Sequence, residues 1–231
     1  MPEKRQTFLD RQHMLANDYE IYHYRDLCLA QVSTHHHDFY ECLFFIGGVV
    51  TCRIEGRSFD LVPGDILFVN TSQLHQMVIR DLSIPYERIV LWLHRDLVRQ
   101  LSSDQTCLED CLLSKIKPDI IRTSPENQRL IRSLLERLLA ITHAQGFGRD
   151  LLIRCCLTEL LVNLIRDMQN SDRQPLEFVR RNLVIEGVIA YIDGHLDEKI
   201  QIDDLAAKFY LSKFHLSRKF REYTGTTIYR F

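Results

Sequence analysis

The feature that most constrains this chain is a change of period partway along it. From Tyr19 to about His94, apolar residues alternate or fall in short runs such as "LCLAQVS", "YECLFFIGG", "VVTCRIEGRSFDLV", "DILFVN", "HQMVI" and "YERIVLWLH". These runs are rich in β-branched and aromatic residues. The pairs Gly47-Gly48, Glu55-Gly56, Pro63-Gly64 and Ile84-Pro85 break them at roughly even spacing. Short strands repeated in this way predict a β-sandwich or barrel. Beyond Ser124 the period becomes helical, so a β-domain is followed by helices, an α+β chain of more than one domain.

"SPENQRLIRSLLERLLAITHAQ" opens with Ser124 as N-cap, Pro125 at the first helical position and Glu126 after it. Its apolar residues recur at Leu130, Leu134, Leu135, Leu138 and Ile141. After Gly146-Phe147-Gly148, "RDLLIRCCLTELLVNLIRDMQ" gives a second helix, apolar on more than one side through Leu152, Cys155, Cys156, Leu160, Leu161 and Leu164. Two such helices predict an antiparallel pair that needs a further partner, either the β-domain or a second copy of the chain. "QNSDRQP", Gln169 to Pro175, reads as a linker, and "IEGVIAYIDGHL" as a short amphipathic helix beyond it.

No apolar run reaches the ~18 residues of a membrane span, and no apolar signal segment follows "MPEKRQTFLDRQHML", so a cytoplasmic protein is expected. The seven cysteines are odd in number and form no CxxC pair, so they are read as reduced thiols. Charge is unevenly placed. Positions 208 to 231 hold six basic residues against one acid, a net of +5; the whole chain carries −2, so residues 1 to 207 carry −7. A basic end on an acidic body points to nucleic acid, while a solvated helical face would look the same by charge alone.

The terminal stretch "DDLAAKFYLSKFHLSRKFREYTGTTIYRF" divides into two helices around a tight corner. Asp203 is expected to cap the first, with Leu205, Ala206 and Phe209 inside, and Ser212 to cap the second, with Leu216 and Phe220 on one face. Small Ala206 lets the helices cross closely, and Leu211 fills the corner. Lys213, Phe214, Ser217, Arg218 and Arg221 fall on the opposite face, a set suited to base edges in a major groove. Leu205-Ala206, Ser212, Leu216, Arg218, Phe220, Arg221 and Thr224-Gly225 make this segment resemble the first helix-turn-helix of the AraC/XylS family of bacterial transcription regulators. The resemblance implies base reading by Phe214, Ser217 and Arg218; Ser212, Lys213 and Arg221 are expected at the DNA beside them. Tyr210 stands where such corners often have glycine, so positive φ and some strain are expected there. Family members carry two such motifs joined by a linking helix. Only the first is in this sequence, so the chain is expected to be a truncated form with weak, salt-sensitive DNA binding.

"HHHDFYECLFFIGG" and "VPGDILFVNTSQLH" resemble the two half-motifs of a cupin β-barrel, the sensor domain of many members of that family. The fold implied is a cupin-like β-barrel, then an antiparallel helical pair, then an all-α helix-turn-helix subdomain. The matching positions are His35, His37, Glu41 and His75. His35, His37 and Glu41 are expected on one strand face, with His75 joining from the far strand and His36 pointing out. Three readings stay open: a pocket for a small polar ligand such as a sugar, a divalent transition-metal site, or polar residues of the barrel mouth. Phe39, Tyr40, Phe44, Phe45 and Trp92 read as core. Pro63-Gly64-Asp65 reads as a turn in which Asp65 bonds back to the backbone.

The expected division is a ligand-sensing domain over 1–123, a helical dimerisation segment over 124–168, a linker over 169–182 and half of a DNA-binding domain over 183–231. The expected function is a ligand-responsive, sequence-specific transcription regulator. It would be a homodimer with double-stranded DNA and a small-molecule effector as partners, and no membrane, catalytic residue or committed cofactor. The other reading is a metal-dependent cupin enzyme with an accessory helical domain.

Overall fold

The computed structural model describes residues 13–27, 31–113, 118–170, 183–195, 200–224 and 227–229. Among the described residues, nine strands form two antiparallel sheets. The first contains β1 (Tyr19–Asp26), β8 (Tyr86–Leu93), β3 (Tyr40–Gly47), β6 (Ile66–Val69) and β9 (Ile120–Ile121), in that spatial order. The second contains β2 (Gln31–His35), β7 (His75–Ile79), β4 (Val50–Ile54) and β5 (Arg57–Asp60). Short helices α1 (Arg95–Leu101) and α2 (Leu108–Leu112) lie between β8 and β9, where the sequence reading placed none.

The five-stranded sheet is buried on both faces. Along β3, Tyr40, Cys42 and Phe44 point into one core and Leu43 and Phe45 into another. That is why "YECLFFI" reads as a continuous apolar run. The second core lies between the two sheets. The first is closed by α3 (Pro125–His143) and α4 (Arg149–Asn170), which pack on the outer face of the five-stranded sheet through Ile131, Leu134, Leu135, Leu138, Cys156, Leu157, Leu160, Leu161 and Leu164. The partner that the helical pair needs is thus the β-domain.

Ser124 caps α3 by accepting from Asn127 N–H at 3.3 Å, and Pro125 opens the helix as expected. Leu130, Leu152 and Cys155 are exposed, whereas Ile131, Ile153 and Leu157 take the inward positions. α4 is apolar on more than one side as expected, with Cys156, Leu160, Leu161 and Leu164 buried and Leu151, Leu152 and Cys155 on the solvent side. α4 continues to Asn170, and residues 171–182 of the expected linker lie outside the described residues. No described helix is long and apolar enough to cross a membrane.

A third core gathers Ile185, Val188, Ile189 and Ile192 of α5 (Leu183–Asp193), Leu205 and Ala206 of α6 (Ile202–Lys208), and Leu216 and Phe220 of α7 (Lys213–Thr224). One residue of the β-domain, Leu74, belongs to it.

Candidate functional site

Two regions hold the residues singled out by the sequence. In the β-domain, β2 ends at His35 and β3 starts at Tyr40, and the chain between them passes from one sheet to the other. His37 sits in that crossing. The expected single strand face for His35, His37 and Glu41 is therefore corrected: the three come from β2, the crossing and β3. His75 opens β7 directly opposite His35 in register, so it comes from the neighbouring strand and not a far one. The change of sheet folds the segment back and brings the four side chains together anyway. His36 is exposed.

The rings of His35 and His75 lie 4.2 Å apart and those of His37 and His75 4.9 Å apart, centroid to centroid. One ligand atom from each of the three histidines lies within 4.8 Å of those of the other two. Each imidazole is oriented by its Nδ1, which bonds a backbone carbonyl: Ser33 for His35 at 2.8 Å, Phe39 for His37 at 2.8 Å and Gln73 for His75 at 3.0 Å. A carbonyl only accepts, so Nδ1 carries the proton and a neutral ring presents a bare lone pair at Nε2. The Nε2 atoms of His37 and His75 are buried and have no hydrogen-bond partner among the described residues.

Burial dominates the titration of both rings, lowering the pKa of His37 and pushing that of His75 down to about 3, with Glu41 opposing in part. Both rings are neutral at pH 7. Glu41 stands beside them, its Oε2 3.7 Å from His37 Nε2 and its Oε1 4.0 Å from His75 Nε2. Trp92 Nε1–H donates to Glu41 Oε2 at 2.7 Å. Phe39 stacks on His37 at 4.0 Å with an interplanar angle of 5°.

Phe39 and Trp92 are buried as the sequence reading had it, but they also form the walls of this site, Phe39 by stacking and Trp92 by hydrogen bonding. Each lies within a few positions of a candidate residue or opposite one in register, as Glu41 and Trp92 do, and pairing register is the signal that would have found Trp92.

Chemically the cluster offers acceptors only: three imidazole lone pairs and a carboxylate. It can receive a cation or the N–H and O–H groups of a polar molecule, and it repels an anion. A divalent transition metal fits this donor set, since neutral imidazole and carboxylate are its common ligands and the Nε2 atoms of His37 and His75 have no hydrogen-bond partner among the described residues.

The second region is α7. Ser212 caps it, its Oγ accepting from His215 N–H at 3.2 Å. Leu216 and Phe220 are 0% exposed, whereas Phe214 is 77% exposed. Arg218 and Arg221 are exposed and Ser217 half-buried. Phe214, Arg218 and Arg221 stand at i, i+4 and i+7, on one face about 10 Å long. Lys213 Nζ lies 2.9 Å from Asp203 Oδ2, both exposed.

Asp203 was expected to cap α6. The N-cap is instead Gln201, because the helix begins at buried Ile202 and leaves Asp203 in its first turn, facing Lys213. At the corner Tyr210 has φ 55° and is exposed, and Leu211 packs against the third core. Asp65 bonds back to Val62 N–H at 2.9 Å as expected and also holds Arg122.

Comparison with known proteins gives four findings. The family model described as "AraC-like ligand binding domain" matches residues 22–161. The HTH-type transcriptional activator RhaS of Escherichia fergusonii is 24% identical over 204 residues, which is 85% of this chain and 68% of that protein. The Right origin-binding protein of Escherichia coli K12 is 40% identical over 45 residues, 20% of this chain and 16% of that protein. Among solved structures, an apo ToxT variant from Vibrio cholerae aligns over 93% of this chain and 78% of its own, at 11% identity and a TM-score of 0.44.

Proposed function

The chain belongs to the AraC-like ligand-binding domain family, and on that premise we propose that it is a ligand-responsive transcription regulator that reads double-stranded DNA with α7. It acts as a regulator and not as an enzyme. The observation that carries the DNA assignment is the two-sidedness of α7: Leu216 and Phe220 lock it to its neighbours while Phe214, Arg218 and Arg221 face outward. We read α6, the Tyr210 corner and α7 as a helix-turn-helix with α7 as the recognition helix.

Within it, Arg218 suits bidentate contact with a guanine and Phe214 suits a thymine methyl. Ser217 reads bases from the edge of the same face. Arg221 contacts phosphate. Ser212 and Lys213 sit at the helix start, where one caps the helix and the other exchanges Asp203 for a phosphate.

The small-molecule effector binds at His35, His37, Glu41 and His75, in a cupin-like domain assigned to 1–123. A sugar fits the acceptor-only lining through its hydroxyl donors. A divalent metal ion is the second reading, favoured by the bare Nε2 atoms of His37 and His75. The helices over 124–168 serve dimerisation, with exposed Phe147, Leu151, Leu152 and Cys155 as the apolar surface that a second copy would cover. The link over 169–182 joins them to the DNA-reading unit over 183–231, and the protein works in the cytoplasm, where its DNA is.

In vitro selection from a random DNA pool tests this. A recovered motif that Arg218→Ala degrades at one position supports the reading, and a pool that stays random contradicts it.

A further inference from the structure

The third core connects the two regions. Leu74 and His75 are consecutive, Leu74 standing just ahead of β7 and His75 opening it. His75 turns into the histidine cluster and Leu74 turns the other way, 6% exposed, into the core of Ile185, Leu205, Leu216 and Phe220. The backbone of Leu74 is clamped to Glu55: Leu74 N–H donates to Glu55 Oε1 at 2.7 Å, and Glu55 N–H donates to Leu74 O at 2.9 Å. The Glu55-Gly56 turn is in turn held by α7, whose Tyr223 hydroxyl donates to Glu55 O.

The Tyr223 ring lies against Gly56, so closely that a Cβ there would stand 1.9 Å from Tyr223 Cε2. Between these parts is a cavity of about 10 Å³, bounded by Thr34, Glu55, Leu74, His75, Tyr223 and Thr224. It is no larger than a water molecule needs, so the contact has little slack.

We infer that Leu74 and Tyr223 form the relay that couples the histidine cluster to α7: a ligand that draws the imidazoles of His35, His37 and His75 together fixes the start of β7 and with it the placement of α7. The inference rests on the metal-ion reading of the cluster given above. Docking leaves Phe214, Arg218 and Arg221 exposed. The relay therefore positions the reading face and does not mask it, and ligand stabilises the arrangement able to bind DNA. Coupling between sites is reciprocal: whatever the ligand adds to docking, docking adds to ligand affinity.

The test titrates metal-stripped protein with Co²⁺, following its ligand-field absorption, in wild type, Tyr223→Phe and Tyr223→Ala. Far-UV circular dichroism checks that each variant is folded. Tyr223→Ala is expected to weaken cobalt binding about fivefold or more, the low end of coupling between linked sites, with Tyr223→Phe between it and wild type. Cobalt is also expected to slow amide exchange over residues 213–224 in wild type and less so in Tyr223→Ala. Equal cobalt affinity in all three proteins would overturn the relay. So would an absence of cobalt binding by wild type, which would remove the metal reading with it. The regulator reading is judged separately, by binding of metal-free protein to selected DNA.

Discussion

Phe220→Ala and Phe214→Ala make a matched pair that separates the two faces of α7. The same atoms are removed from one helix six residues apart. Phe220 is fully enclosed by the third core, so its truncation forfeits transfer free energy and leaves a cavity, together about 3–5 kcal/mol for Phe→Ala. Phe214 is 77% exposed, so its truncation stays within about 0.5 kcal/mol.

Amide hydrogen exchange over residues 185–224 reads the difference directly. Each 1.4 kcal/mol is a factor of ten, so a 3 kcal/mol loss speeds exchange of the core amides more than about 100-fold, while Phe214→Ala changes it about twofold or less. Amides of β3 and β8, in separate cores, serve as the internal control. Comparable acceleration by both variants, or none by Phe220→Ala, would refute the two-sided assignment of α7.

Asp26→Ala removes the carboxylate that pairs with Arg88, whose guanidinium is buried over the Tyr24 and Tyr86 rings; a loss of about 3–5 kcal/mol is expected in urea unfolding. Tyr210→Asn keeps the φ of 55° with a residue that tolerates it and gives up no burial, so thermal unfolding should show a gain of about 0.5–1 kcal/mol. In metal-stripped protein, His75 titrates near 3 when folded and near 6.5 when unfolded, so the unfolded chain takes up the proton first as pH falls. Stability should accordingly drop by about 2 kcal/mol between pH 7 and pH 5 in urea titrations, and His75→Gln should abolish that part of the drop.

The β-domain as a succession of short strands was legible because period-two runs broken by Gly and Pro allow little else, whereas the order of the strands in the two sheets was not. The α3 start was legible down to Ser124 and Pro125, since capping is a local matter of one hydroxyl and one ring. Convergence of His35, His37, Glu41 and His75 was foreseen for the wrong reason. Alternation along one strand was assumed, but the chain changes sheet between His35 and Tyr40, and register rather than alternation sets His35 against His75. The split of α4 into a buried and an exposed side was not legible, because leucine and cysteine occupy both. Nor was the Leu74–Glu55–Tyr223 contact, in which residues 168 positions apart meet through a backbone carbonyl that no side-chain pattern announces.

The most direct measurement of the central claim is the affinity of wild type and Arg218→Ala for the best DNA site selected by the wild-type protein, across a salt series. Arg218→Ala is expected to lose about 1–3 kcal/mol on that site, and far less on a site changed at the base pair it reads. Equal loss on both sites, or none on either, would contradict it.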